Sequence, residues 1–244
     1  MKIKYVVLFM LTFNSAHSDD GQCKDKNQYS ATLERQNLQS KSKKDRLATL
    51  KDQLDTISNF HDLSCFEYAA EIHVQSEPDE YTKWERIVAQ KNDKLEREIE
   101  QRAFSAGATR QTAQDIAQAA RNGHINDYLT PGGLTFLTET INCTEPFFHS
   151  CDTIELMKIL IENGASVNQS EGVTDRTPLM LAAEKGNIEA AQLLLDNGAK
   201  ASTRVYAHEG EKGIPSQYSA LDIAQEKGDY KMARLLQNAI KKGL

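Results

Sequence analysis

The 244-residue chain holds one tryptophan, four cysteines, five prolines and thirteen glycines, with no glycine period and no proline-rich stretch. A collagen-like or low-complexity chain is thereby excluded. Beyond its first residues it has no apolar run of the length a bilayer demands, which excludes a multi-span membrane protein. Positive charge is also short: 29 Lys and Arg face 35 Asp and Glu, a formal net charge of −6. Nucleic-acid binding neutralises phosphates with a basic face, so that class is not expected. Paired CxxC spacings, an HExxH helix and a glycine-rich phosphate loop are missing too. What is there, 39% hydrophobic and 26% charged residues, suits a helix-rich globular chain long enough to bury a core.

The one markedly apolar segment is an address. Lys2 and Lys4 precede the run Tyr5 to Phe13, and the small residues Ala16 and Ser18 follow. A positive start, a short apolar run and small residues at the exit predict a signal peptide over 1–18, cleaved after Ser18. The run is too short to span hydrocarbon, so no stable membrane insertion is expected. Cys23 does not follow the run directly, so a lipid anchor is not expected either. Cleavage removes two lysines and no acid, taking the charge from −6 to −8. Export to the periplasm or beyond favours disulfides among Cys23, Cys65, Cys143 and Cys151. Of three connectivities, Cys143–Cys151 and Cys23–Cys65 are preferred. The rival is a metal site around His61, Cys65 and His73, or His149 beside Cys151, but the spacings are not those of structural zinc.

The second half repeats itself. Thr177-Pro178-Leu179-Met180-Leu181-Ala182-Ala183 leads to Gly186-Asn187, then to Leu193-Leu194-Leu195 and Asn197-Gly198-Ala199. This order predicts a turn, a short alanine-rich helix, a glycine turn, a leucine-rich helix and a glycine exit, with Pro178 suited to a first helical turn. It resembles the ankyrin repeat, whose core pattern is T-P-L-H-x-A, with Met180 standing where the family has His. Ser219-Ala220-Leu221-Asp222-Ile223-Ala224 opens a last copy, and Asn163-Gly164-Ala165 closes an earlier one. A degenerate copy is expected over 112–129, where Asp115-Ile116-Ala117-Gln118 echoes Asp222-Ile223-Ala224-Gln225. Thr135, Thr177 and Ser219 lie 42 apart, more than the usual 33. The excess falls at Cys143 to Cys151 in one copy and at Tyr206 to Pro215 in another.

The N-terminal half differs. Leu47, Leu50, Leu54 and Ile57 share a helical stripe, as do Trp84, Val88, Leu95 and Ile99 on a helix starting near Ser76-Glu77-Pro78-Asp79. Phe60, Leu63, Phe66 and Tyr68 are expected to plug the connection, and Lys41 to Arg46 to form a solvated face. The expected fold is all-α: an ankyrin-repeat solenoid of about four repeats preceded by an N-terminal helical hairpin. The corresponding divisions are 1–18 signal peptide, 19–108 N-terminal helical region and 109–244 repeat domain.

The resemblance implies a concave surface and projecting turns that bind other proteins. Matching positions are Arg121 and Asn122, then Val173, Thr174, Arg176, Glu184 and Lys185, then Ser216, Tyr218, Glu226 and Lys227. Arg204, Tyr206, His208, Glu211, Lys212 and Ile214 sit on the long turn, where aromatic and charged groups suit an interface. No catalytic, cofactor-binding or metal residue is expected, and no cofactor. Similarity to small exported bacterial ankyrin proteins implies an immunity-type protein that occludes a toxin, a basic one given the acidic chain. A chaperone or protector of a periplasmic enzyme, a secreted effector that binds host proteins, and a hydrolase using His61-Asp62 with Cys65, or His73 with Glu71, are the alternatives. The sequons Asn142-Cys143-Thr144 and Asn168-Gln169-Ser170 would matter only in a eukaryotic secretory pathway.

Overall fold

Alternating caps divide the second half into helix pairs. Thr135, Thr177 and Ser219 each accept the N–H of the residue three further on, starting the helices Phe136–Asn142, Pro178–Lys185 and Ala220–Glu226. Thr109, Asn187 and Asp229 do the same for Arg110–Asn122, Ile188–Asp196 and Tyr230–Lys241. Each cap satisfies a donor that the helix itself leaves open, and contributes about 1 kcal/mol. The structure, a computed structural model, describes residues 42–74, 78–127, 129, 133–143, 147–148, 153–172, 174–206 and 217–244. Among them are ten helices and one two-stranded sheet. In chain order the elements are α1 (Lys43–Thr56), α2 (Phe60–Val74), α3 (Pro78–Ser105), α4 (Arg110–Asn122), α5 (Phe136–Asn142) and α6 (Thr153–Glu162). They continue as α7 (Pro178–Lys185), α8 (Ile188–Asp196), β1 (Arg204–Tyr206), β2 (Gln217–Ser219), α9 (Ala220–Glu226) and α10 (Tyr230–Lys241).

The described residues divide into two compact units, one of 42–57 with His61–Trp84, the other of Ser58–Phe60 with those from Glu85 to Leu244. In the first, Leu50, Leu54 and Ile57 are buried as their spacing predicts. The expected plug is instead a helix of its own: Leu63 and Phe66 on α2 point inward, Phe66 meets Trp84 edge-on at 6.0 Å, and Tyr68 is 60% exposed. Arg46 leaves the solvated face expected for it and pairs with the buried Glu80 at 3.4 Å. Cys65 in this unit and Cys143 in the other are disulfide-bonded, and no described cysteine is free. Cys23 and Cys151 lie outside the described residues, as does the expected signal peptide.

The second unit holds the repeats. Ala182, Ala183, Ala190 and Ala191 are fully buried, which lets α7 and α8 pack closely, and Leu194 and Leu195 fill the space beside them. Turns after the first helix of a pair close alike: Asn187 N–H reaches Ala182 O, and Asp229 N–H reaches Ala224 O, each at 2.9 Å. Ala108 N–H reaches Ala103 O in the same way at 3.1 Å, so the end of α3 serves as the first helix of the first pair. Exits after second helices also agree: His124 to Ala119 at 2.8 Å, Ala165 to Leu160 at 2.9 Å and Ala199 to Leu194 at 2.9 Å. α4 is a second helix, since Asn126 beyond it bonds the next exit as Asn168 beyond α6 does, one step out of frame from the sequence reading of 112–129. Four pairs result, α3–α4, α5–α6, α7–α8 and α9–α10. The left-handed cap is glycine after α7 (Gly186, φ 68), as that conformation favours, whereas α5 ends on Cys143 at φ 51.

Successive layers are tied by asparagine. Asn126 donates to Gly164 O at 3.0 Å and accepts Ser166 N–H at 2.7 Å; Asn168 donates to Gly198 O at 3.0 Å and accepts Lys200 N–H at 2.9 Å. Both asparagines therefore spend their amides on backbone. The turns that project between pairs also touch: Gly172 N–H donates to Gly133 O at 3.0 Å, and a β-carbon on Gly133 would lie 2.3 Å from the Gly172 α-carbon. The long connection after α8 is not plain loop, because β1 and β2 pair antiparallel with Val205 opposite Tyr218. Asn126→Ala is expected to cost about 1–3 kcal/mol in urea unfolding, since two partly buried backbone groups lose their partner. The more exposed Asn168→Ala should cost less.

Candidate partner-binding surface

The projecting turn before α7 and the β1–β2 hairpin form one surface. A groove of about 270 Å³ separates them, lined by Asn168, Ser170, Asp175 and Thr177 on one side and Thr203 to Tyr206 on the other. The turn is closed by Glu171 N–H on Arg176 O at 2.9 Å, and Asp175 adopts φ 54, a conformation Asp tolerates better than most side chains. Arg176 then knits three elements together. Its Nη1 reaches Glu184 on α7 at 2.8 Å, and its Nε donates to the Tyr218 hydroxyl at 3.2 Å. On the hairpin, Arg204 Nη2 donates to Asp222 at 3.0 Å and to Gln217 O at 3.3 Å. Asp222 also accepts Ser219 N–H at 2.8 Å, so it closes the capping box of α9 while holding β1.

The expected contact residues separate into three groups. Tyr206 is 70% exposed, Lys185, Glu226 and Lys227 are exposed, and Arg204 stays half in solvent. Arg176, Glu184 and Thr174 are half-buried and engaged, Thr174 donating to Glu171. Tyr218 is a correction: it is 1% exposed, because β-pairing turns it inward opposite Val205, and it serves the frame rather than the rim. Arg121 lies apart from this surface, bound to Asp93 and Glu96 of α3. The hydrogen bond it donates to Glu96, working against burial and helped by Asp93, raises its pKa above the ordinary guanidinium value. Asn122 closes the same helix. Val173, His208, Glu211, Lys212, Ile214 and Ser216 lie outside the described residues.

Elsewhere, a larger recess of about 460 Å³ lies beside Glu98, Gln101, Arg102 and Glu155, but its cation is already committed: Arg102 bonds Glu155 at 3.2 Å and Glu162 at 2.9 Å. Between α5 and α6, Phe148 is buried and pairs with Ala108, and Phe147 O accepts Thr109 N–H at 2.9 Å, which pins these two residues to the start of α4. No group of three or more His, Cys, Asp or Glu suited to a metal occurs among the described residues. Among them, too, no helix is long and apolar enough to cross a membrane.

Comparison with known proteins agrees with this geometry. A family model described as ankyrin repeats, three copies, matches residues 116–205 and 150–243, together more than half of the chain. A stretch of 48 residues is 44% identical to the ankyrin repeat and KH domain-containing protein mask-1 of Caenorhabditis elegans. That stretch covers 20% of this chain and 2% of the relative's length.

Tyr218→Phe keeps the buried ring and removes the acceptor for Arg176. A loss of about 0.5–1.5 kcal/mol is expected in urea unfolding, with no change in helical content by far-UV circular dichroism.

Proposed function

The chain belongs to the ankyrin-repeat family, and we propose that it is an exported, non-enzymatic protein-binding protein whose main contact is the β1–β2 hairpin and the loop it carries. Ankyrin repeats imply protein partners. The observation that carries the finer reading is the outward Tyr206 beside Arg204 on a braced hairpin, next to an open groove. An aromatic and an arginine on a rigid support lose little freedom on binding and desolvate large surfaces, the qualities of interface anchors. His208, Glu211, Lys212 and Ile214 extend that contact in sequence.

Export follows in the same proposal from Lys2, Lys4 and the apolar run to Phe13, leaving a mature chain that begins at Asp19. An oxidising compartment suits disulfide pairing of Cys65 with Cys23 and of Cys143 with Cys151. The net charge of −6 favours a basic partner, and an immunity protein that occludes a basic toxin in the periplasm is the specific form we favour. A disulfide-bonded, buried Cys65 has no thiolate to offer as a nucleophile, which supports binding over hydrolysis.

The test is capture of partners from the native envelope fraction by the tagged chain, beside a variant lacking His208 to Ile214. A stoichiometric basic toxin lost in that variant, and inhibited by the chain, is expected. Capture of a periplasmic enzyme whose activity is preserved would replace immunity with protection, and a partner found only in host material would replace both with an effector role. Tyr206→Ala should weaken capture about tenfold or more while leaving the melting temperature within about 1 °C. Amino-terminal sequencing of the exported protein should begin at Asp19; an intact Met1 start would sink the export reading.

A further inference from the structure

Two acids stand where neighbouring repeats carry apolar side chains. Glu139 lies four residues after the Thr135 cap; the same interval after Thr177 and Ser219 reaches Leu181 and Ile223, both buried. Glu171 closes its turn on Arg176 as Leu129 closes the preceding turn on Leu134, N to O 2.7 Å. Both acids are buried, Glu139 to 1% exposure. Neither carboxylate oxygen of Glu139 has a hydrogen-bond partner among the described residues. Glu171 is held in place, taking Nδ2 of Asn142 at 3.5 Å on one oxygen and the Thr174 hydroxyl on the other. Asn142 lies three residues after Glu139 on α5, hence on the same helical face. Its bond to Glu171, with the charge of Glu171 felt at Glu139, brings the two carboxylates and the amide near one another.

A buried carboxylate without partners calls for a counter-charge. We propose that Glu139 and Glu171, with the side-chain oxygen of Asn142, form a calcium site that clasps the turn before α7 onto helix α5. The donors are all hard oxygens, and their two negative charges match one divalent cation. Asn142 gives its Nδ2 to Glu171, which leaves Oδ1 to coordinate; Thr174 orients Glu171 from behind. Calcium tolerates an irregular shell completed by water, whereas magnesium demands near-octahedral geometry. With two carboxylates, the affinity belongs in the weak range of about 10⁻⁴–10⁻³ M. Burial first, and the charge of Glu171 second, raise the pKa of Glu139. This site stands independently of the partner-binding reading.

The full chain, stripped with EDTA, is titrated with calcium chloride at neutral pH, following heat and thermal unfolding. Calcium at about 10 mM should raise the melting temperature by about 3 °C or more and give a single saturable site. Glu139→Gln should abolish both responses and, in EDTA, unfold above the wild type because a buried charge has gone. Glu171→Gln serves as a second reporter and should also lose the response. An equal calcium response in Glu139→Gln, or an equal shift with magnesium, would overturn the proposal. So would a wild type that ignores calcium and is stabilised only by acid, since the carboxyl pair would then hold a proton.

Discussion

Register between layers rests on a repeated two-point grip: one asparagine amide reads both the carbonyl and the N–H of the next exit turn. A helix pair cannot bury both of its faces alone, so hydrophobic packing supplies the attraction between layers but little choice of register. Hydrogen bonds are directional, and the grips of Asn126 and Asn168 hold only when each exit sits in one place. Between these grips the alanine-rich faces can approach, and between the same layers Gly172 meets Gly133 backbone to backbone. The projecting turns then emerge in line, which is why side chains from the turn before α7 and from β1 face one groove.

The surplus residues of the two long repeats have opposite fates. In one insertion, Phe148 is buried and pairs with Ala108 just before α4. The other is flanked by a two-stranded ladder whose inner side is Val205 and Tyr218 and whose outer side carries Arg204 and Tyr206. Strand alternation does this work: with a period of two, a three-residue strand suffices to turn one side chain in and two out.

The central repeats were legible because their punctuation is backbone chemistry written in the sequence: Thr177 and Asn187 as caps, Pro178 in the first turn, and Gly186 and Gly198 where left-handed turns are needed. The first pair was not, since its first helix is the tail of the 28-residue α3 and carries no cap of its own. Asp115-Ile116-Ala117-Gln118 reproduces a first-helix string while serving a second helix, so local similarity pointed to the wrong frame. The hairpin left no trace in periodicity, its strands being three residues each, and the family resemblance placed Tyr218 on a projecting turn where β-pairing in fact turns it inward. The anomaly of Glu139 was available from the start: counting from the cap places it level with Leu181 and Ile223.

Asp222 belongs to two structures at once, bracing Arg204 of β1 and completing the cap of α9. The outward arm is thus hinged directly on a helix end, without a slack linker between them. A partner that tugs on Tyr206 loads that carboxylate, and the load arrives at the first turn of the last repeat. Mechanically, the arm is a lever with its fulcrum inside the stack, so force applied at Tyr206 strains the final layer.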